Sequence, residues 1–271
     1  VVDSIKDNGT LILKERGGML SWLWEAQASL IHVNGNPIHG VFEPRADYKT
    51  ALKRLSSEPL SVYAGFASKS EAMAAGIIVG STTVTMPKKM IRLSENRASA
   101  RGFDDRVGCA ALLMSLSDLN PDLLSKKVTF IWSVEEETGL FGSSFAAKNL
   151  SNATTVYPID TYVSSDDVYS DETFANCPLG NGAVIRVLES VNFISRENIK
   201  TVQSLAAKNK IKVQYGMTVG GTDGQAFLGY DIPSIPLSWP GRYSHSPIEV
   251  MDYRDMNNLV SLIKALLKES K

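Results

Sequence analysis

Acidic residues and one histidine flank the strongly apolar segments of the chain. They are Asp104, Asp105, Glu135, Glu136, Glu137, Asp160 and His245. In open α/β sheets, ligand-binding side chains gather at the carboxyl ends of the strands, so these groups are expected to converge at one edge. Four or more carboxylates at one edge repel one another unless cations lie between them. The pattern therefore predicts a metal centre.

Oxygen-rich ligation with a single imidazole suits a divalent ion such as zinc, cobalt or manganese. Two ions about 3.5–4 Å apart, sharing a bridging carboxylate and a bridging water, would use this number of acids. Asp104 is the candidate for the bridging carboxylate, because an apolar helix directly behind it would hold it rigid. Each residue type also has an ordinary role. Glu135 to Glu137 could form a solvated acidic turn, His245 could cap a loop, and Asp160 could be a helix N-cap.

Residues 1–96 have the pattern of a β-rich domain. The segments "TLIL", "GIIVG" and "TTVTM" predict strands, and "ASLIHVNGNPIHGVF" predicts a hairpin in which Asn34 and Gly35 supply the positive φ of the tight turn. Ser68 and Glu71 form a capping box, which predicts a short helix over the following residues.

Residues 97–271 alternate between helical and extended patterns. The run "VGCAALLMSLSDL" is apolar on nearly every side and predicts a buried helix, and "GSSFAAKNL", "ENIKTVQSLAAKNK" and "DMNNLVSLIKALLKES" predict three more. Predicted strands are "KVTFIWSV", "TTVYPID", "AVIRVLE", "IKVQYGM" and "IPSIPLS". This alternation predicts an α/β fold with a mixed, mostly parallel sheet and helices on both faces.

Composition excludes several classes of protein. The 271 residues carry a formal net charge of -1, so no long-range field favours nucleic acid or an anionic membrane as a partner. No apolar run approaches the ~20 residues that a membrane span needs. Cys109 and Cys177 are too few for a disulfide framework, which favours a reducing compartment and a cytoplasmic location.

Six motifs in series carry a family resemblance: "FDDRVG", "EETGLFGS", "IDTYVSSD", "PLGNG", "GGTDG" and "RYSHSPIE". Their order and spacing resemble those of the co-catalytic di-zinc aminopeptidases of family forty-two in peptidase clan MH. These are the tetrahedral or TET aminopeptidases, some of them called glutamyl aminopeptidases or endoglucanases. The resemblance covers nearly the whole chain, because residues 1–96 are similar to the family's inserted, small β-barrel-like domain. It implies a zinc-peptidase fold over residues 97–271.

The resemblance also implies roles for individual residues. Asp104 would bridge two metals and be joined to Asp105 by a cis peptide, with Asp105 in the catalytic set. Glu136 would be the general base. The remaining metal ligands would be Glu137 and His245 on one ion and Asp160 on the other. The loop "GGTDG" is similar to a family loop near the metals, which makes Gly221 and Asp223 candidate substrate contacts, and Asp166 follows Asp160 at the family's six-residue offset.

One further ligand implied by the resemblance is a histidine in an HxD motif upstream of the inserted domain. Neither His32 nor His39 lies in such a motif, and both belong to the predicted hairpin. Either the segment that carries this histidine precedes Val1 in the full protein, or the chain is an inactive relative; the apparent beginning within a strand favours the former. As it stands, we expect the chain to bind at most one zinc ion tightly.

The implied reaction is hydrolysis of N-terminal residues from peptides with a free α-amino group, with two divalent ions as cofactors. Two other functions remain open. A glycoside hydrolase also uses two carboxylates but requires no metal, and a metal-free homologue could act as an assembly scaffold. The resemblance further implies a homo-oligomer built from dimers, up to a dodecamer. The preferred N-terminal residue is not encoded in any recognisable pattern.

Overall fold

The computed structural model describes residues 1–44, 59–87, 89–117, 119–164 and 175–268. The chain forms two compact units. The first comprises Val1–Lys89 with His245–Pro247, and the second comprises Met90–Ser244 with Ile248–Lys271. Among the described residues, none of the helices has the length and apolar character needed to cross a membrane.

The first unit is a six-stranded antiparallel sheet in the order β1-β2-β5-β4-β3-β6. Its strands are β1 (Val2–Ile5), β2 (Leu11–Leu13), β3 (Ala28–Val33), β4 (Asn36–Phe42), β5 (Ser61–Tyr63) and β6 (Thr83–Thr85). The Val2 amide donates to Thr82 O at 2.9 Å, and the Gly80 amide donates to Val2 O at 2.7 Å. These bonds join one edge strand to the segment that leads into the other, so the sheet curls as a barrel-like domain requires.

Local sequence signals in the first unit have the expected outcome in two cases. Asn34 and Gly35 have φ values of 38° and 85° in the turn between β3 and β4. Ser68 caps helix α1 (Lys69–Ala74) by accepting a hydrogen bond from the Glu71 amide at 3.2 Å. The prediction of a strand in "GIIVG" is wrong, because residues 76–80 form turns and irregular backbone without strand pairing.

The second unit holds the remaining elements. They are β7 (Ile91–Arg92), β8 (Arg97–Ala100), α2 (Arg106–Ser117), α3 (Phe141–Asn149), β9 (Ile159–Val163), β10 (Ala183–Leu188), α4 (Arg196–Lys208), β11 (Val213–Met217), α5 (Gln225–Leu228), β12 (Leu237–Gly241), β13 (Glu249–Asp252) and α6 (Tyr253–Lys268). A four-stranded sheet has the order β11-β10-β12-β9, and β13, β8 and β7 form a separate antiparallel sheet.

The four-stranded sheet is mixed and covered on both faces. β10 runs parallel to β11 and β12 runs parallel to β9, whereas β10 and β12 are antiparallel. Along β10, Ile185 packs into the main core with residues of α2, α4 and α6. Its neighbour Val184 packs with Tyr162 and Cys177 in a different cluster, because successive strand residues point to opposite faces. This arrangement confirms the predicted α/β class.

Two predictions for the second unit need correction. Residues 127–134, "KVTFIWSV", form no strand, because none of the described strands pairs with them. Helix α2 is not buried on every side: Val107 and Ala111 lie in the core, but Leu113 is 56% exposed and Met114 is 43% exposed. Apolar composition alone does not distinguish a buried helix from one with an apolar surface.

Candidate metal centre

Asp104 and Asp105 lie between β8 and α2, and the peptide bond between them is cis, as the family resemblance implied. Glu249, which begins β13, accepts hydrogen bonds at its Oε2 from the amides of Phe103 and Asp104. The hydroxyl of Ser244 donates to Asp104 Oδ2 at 2.7 Å. The backbone and the carboxylate of Asp104 are therefore both held by other residues.

Asp105 is fixed by two donors at the same oxygen. Its Oδ1 accepts from the Trp239 indole at 2.8 Å and from the Gly108 amide at 3.1 Å. A Cβ atom at Gly108 would lie only 2.1 Å from Asp105 Oδ2 and 2.7 Å from Ile159 Cγ2. Glycine is therefore required in the first turn of α2 for the helix to approach this carboxylate.

Asp160 is the second residue of β9 rather than the end of a strand, which corrects the expected position of that strand. Its Oδ1 accepts from the Thr161 amide at 2.7 Å, and its Oδ2 lies 3.4 Å from Arg186 Nη2. Asp104, Asp105 and Asp160 each place one carboxylate oxygen within 4.8 Å of the others. The adjacent acids Asp104 and Asp105 thus meet Asp160, which lies 55 residues further along the chain.

The electrostatics of this cluster depend on burial. Burial and, to a smaller extent, the charge of Asp104 raise the pKa of Asp105 to about 7, against the opposing effect of the hydrogen bond from Trp239. Burial also raises the pKa of Asp160 well above its ordinary value, while Arg186 lowers it and the charges of Asp104 and Asp105 raise it. A divalent cation between these oxygens would relieve the repulsion. The donor set therefore fits a hard or borderline metal ion with oxygen ligands.

The acidic turn contributes two more carboxylates. Glu135 has a φ of 58°, and Glu136–Thr138 form a short 3-10 helix. One oxygen of Glu137 lies within 4.8 Å of one oxygen of Asp104. Glu136 is close enough for its charge to raise the pKa of Asp160. The backbone thus changes direction at Glu135, and Glu137 lies at the acidic cluster while Glu136 lies within electrostatic range of Asp160.

His245 follows Ser244 directly and has a φ of 61°. Its Nδ1 lies 3.1 Å from the carbonyl oxygen of Gly18. A carbonyl only accepts, so this hydrogen bond requires the proton on Nδ1 and makes Nε2 the nitrogen with a metal-binding lone pair. A neutral His245 ring that makes this hydrogen bond has the tautomer that a metal ligand needs.

The candidate substrate contacts have separate positions. Asp223 accepts a hydrogen bond at Oδ2 from the Ser133 hydroxyl, while its Oδ1 is buried without a hydrogen-bond partner among the described residues. The carbonyl oxygen of Gly221 lies 3.4 Å from Arg186 Nη1. Asp166 lies outside the described residues.

Several residues that hold the cluster were not identified from sequence: Arg186, Trp239, Ser244 and Glu249. Of these residues, Arg186 could have been identified from the sequence. It interrupts the apolar strand "AVIRVL", and a charged residue in such a strand is usually paired with an opposite charge.

Comparison with known proteins identifies relatives along the whole chain. The family model described as M42 glutamyl aminopeptidase matches residues 1–262. The lysyl aminopeptidase of Pyrococcus furiosus is 28% identical over 289 residues, covering 100% of this chain and 78% of that protein.

Solved structures agree with this result. The aminopeptidase APDkam598 from the archaeon Desulfurococcus kamchatkensis has a TM-score of 0.90 at 28% identity, with 100% of this chain and 76% of that chain covered. The Pyrococcus horikoshii TET1 peptidase, described as able to assemble into a tetrahedron or a large octahedral shell, has a TM-score of 0.86 at 30% identity, with 99% and 80% covered.

Proposed function

Because the chain belongs to the M42 glutamyl aminopeptidase family and is a peptidase, we propose that it is a metal-dependent aminopeptidase that removes N-terminal residues from short peptides. The observation that supports metal dependence most directly is the convergence of Asp104, Asp105 and Asp160, whose oxygens lie within 4.8 Å of one another. Without a cation between them, three partly buried carboxylates this close together would repel one another.

In this proposal, Asp104 would be a ligand of both of two divalent ions, which we take to be zinc. Glu137 and His245 would be the other ligands of one ion, and Asp160 would bind the other. When bound, such ions lower the pKa of a water molecule toward neutrality and polarise the scissile carbonyl. Ser244 and Glu249 support this assignment, because they fix the carboxylate and the backbone of Asp104 at the position where the two ligand groups would meet.

Glu136 is the proposed general base. It would accept a proton from the attacking water and transfer it to the leaving amine. Its charge raises the pKa of Asp160, so Glu136 lies within electrostatic range of the acidic cluster, which supports this role. Asp105 is assigned to the catalytic set through the family resemblance, and the hydrogen bond from Trp239 to its Oδ1 supports a fixed position for this carboxylate.

Asp223, Gly221 and Asp166 are the proposed substrate contacts. Asp223 is the best supported, because its Oδ1 is a buried acceptor with no partner among the described residues. A buried acceptor without a donor is costly, and a substrate amide or amine would supply the donor.

Assembly and location belong to the same proposal. The TET1 peptidase of Pyrococcus horikoshii is described as forming closed shells. We propose that this protein likewise forms homo-oligomers from a dimer building block and acts in the cytoplasm.

The test is peptide hydrolysis by the full-length protein with and without chelator. We expect bound zinc, release of N-terminal amino acids from short peptides, loss of release after chelation and recovery when zinc returns. An N-acetylated copy of the same peptide is the control, and it should be resistant because it lacks the free amine. Chelator-insensitive cleavage of a β-glucan would instead support the glycoside hydrolase, and a metal-free, inactive protein would support the scaffold.

A further inference from the structure

A buried arginine lies beside the proposed metal ligand Asp160. The side chain of Arg186 is only 4% exposed, and its Nη2 lies 3.4 Å from Asp160 Oδ2. We propose that Arg186 is a positioning residue that fixes the Asp160 carboxylate relative to the Gly221 loop and thereby sets the affinity of one metal position. This inference rests on the proposed function.

The guanidinium group of Arg186 donates hydrogen bonds to residues on several different strands and loops. Its Nε donates to Ser238 Oγ at 2.8 Å, and its Nη1 donates to Glu189 Oε1 at 3.1 Å and to Gly221 O at 3.4 Å. Its Nη2 donates to Thr161 O. The planar fork of arginine makes such contacts in a fixed geometry, which a flexible lysine ammonium cannot reproduce.

These contacts follow from the strand arrangement. Asp160 on β9 and Ser238 on β12 are register partners in a parallel pair. Arg186 lies on β10, which pairs with β12 on its other side. Its long side chain therefore reaches across β12 to β9 and contacts both register partners. The Asp160 carboxylate is held from the other side by the Thr161 amide at 2.7 Å.

Glu189 connects Arg186 to the loop of the proposed substrate contacts. Its Oε1 accepts from Arg186, and its Oε2 accepts from Asn192 Nδ2 at 3.2 Å and from Thr222 Oγ1 at 3.3 Å. Thr222 lies between Gly221 and Asp223 in sequence. Arg186 and Glu189, two buried side chains of opposite charge, thus connect β9, which carries the proposed ligand Asp160, to the "GGTDG" loop.

Folding stability is a weak explanation for this network. A buried ion pair costs desolvation that its attraction often fails to offset, and well-packed apolar residues commonly do as well or better. Residues that hydrogen-bond a ligating carboxylate control its orientation, and their substitution typically weakens metal binding or activity. Because Arg186 contacts a proposed ligand and the adjoining loop together, its position matches this second role.

The test compares zinc binding by the full-length wild type and by Arg186→Met, Arg186→Lys and Ser238→Ala. Zinc affinity is measured by competition with a chromogenic chelator, together with kcat, KM and the unfolding midpoint. We expect Arg186→Met to weaken one of the two zinc equivalents by about 10–100-fold, with a smaller loss for Arg186→Lys. Excess zinc should restore much of the kcat lost in these variants, and KM should change little.

Arg254→Met is the control for loss of an arginine–aspartate pair outside the proposed site, although the Arg254 side chain is 52% exposed. Arg254 also pairs with a buried aspartate, at 2.6 Å from Asp252, but contacts none of the proposed ligands. It should keep both zinc equivalents.

The outcomes separate the two proposals. If Arg186→Met folds and binds zinc with unchanged affinity, the positioning role is overturned. It is also overturned if the affinity falls equally for both zinc equivalents and in proportion to the fall in the unfolding midpoint. If Arg186→Met does not fold, the inference is tested with Arg186→Lys and Ser238→Ala. Unchanged zinc affinity in both variants overturns it. A wild type that binds no zinc overturns this inference and the proposed function together, whereas zinc binding insensitive to Arg186 overturns this inference alone.

Discussion

The indole N–H of Trp239 donates a 2.8 Å hydrogen bond to Oδ1 of Asp105, the residue that directly follows the proposed bridging ligand. Trp239 is 1% exposed and lies on β12, next in the sheet to the strand that carries Asp160. Trp239 therefore holds Asp105, which precedes α2, from the strand that neighbours the one carrying Asp160.

Replacing Trp239 with Phe should weaken metal binding. Phenylalanine keeps most of the apolar volume but removes the donor, which leaves Asp105 Oδ1 with the Gly108 amide. We expect zinc affinity of the full-length protein to fall about tenfold, because Asp105 is bonded directly to the proposed ligand Asp104 and loss of outer contacts at a metal site typically weakens binding by this amount or more. Isothermal titration with zinc measures the change.

Trp24→Phe is the control for that substitution. Trp24 is also buried, but its Nε1 has no hydrogen-bond partner within the described chain. The same loss of volume there should lower stability without changing zinc affinity. Equal zinc affinities in the two variants would contradict the role of the Trp239 donor.

Gly108→Ala should disrupt the site although alanine favours helices by about 1 kcal/mol over glycine. The added Cβ would meet Asp105 Oδ2 at 2.1 Å, so the carboxylate or the first turn of α2 must move. We expect lower zinc occupancy and a lower unfolding midpoint. Gly229→Ala is the control, because nothing lies within 4 Å of its added Cβ. This substitution should leave the stability unchanged or increase it. If Gly108→Ala changes neither zinc occupancy nor stability, the close approach of α2 to Asp105 is not required.

The raised pKa of Asp255, which lies outside the proposed metal site, should make the folding stability depend on pH. Burial raises its pKa from 3.8 to about 6, although the amides of Gly180 and Gly182 donate to it. The folded state therefore holds this proton more tightly than the unfolded state. The stabilisation is complete below pH 3.8 and is lost as the pH rises through about 6.

The measurement for Asp255 is urea unfolding of the wild type and of Asp255→Asn at several pH values across that interval. The variant does not titrate at this position, so the wild type's free energy of unfolding relative to the variant should fall by about 3 kcal/mol as the pH rises. A difference that is constant or increases with pH would be inconsistent with the raised pKa.

Short-range patterns predicted much of the local structure. The N-cap at Ser68 and the turn at Asn34 and Gly35 depend on residues a few positions apart, and both formed as expected. The Glu71 side chain accepts from the Ala67 amide instead of the Ser68 amide, so the predicted capping box is formed only in part. The family was identified from six motifs and confirmed by the match over residues 1–262. The cis bond between Asp104 and Asp105 was accessible only through that resemblance.

Long-range contacts could not be predicted in the same way. Trp239 is 134 residues from Asp105 in sequence, and Arg186 reaches Thr161 and Ser238 across two strands. No local pattern encodes such pairs, because they depend on strand order. The segment 127–134 has the composition of a strand but no described partner, which shows that composition does not determine pairing.

Glu136→Gln tests the general base. The amide cannot accept the proton, so kcat should fall by a factor on the order of 10² to 10⁴ while zinc content stays near the wild-type value. Glu135→Gln is the matched control, because Glu135 lies at the change in backbone direction and is exposed; it should retain activity. Parallel loss of zinc and activity in Glu136→Gln would make Glu136 a ligand instead.

Anomalous diffraction at the zinc edge, from crystals of the full-length protein, tests the central claim most directly. We predict two zinc peaks, each about 2.0–2.2 Å from a carboxylate oxygen of Asp104, one also bound by Asp160 and the other by Glu137 and His245. Peaks elsewhere in the protein, or no peak at Asp104 in crystals grown with zinc, would contradict a metal-dependent peptidase built on these acids.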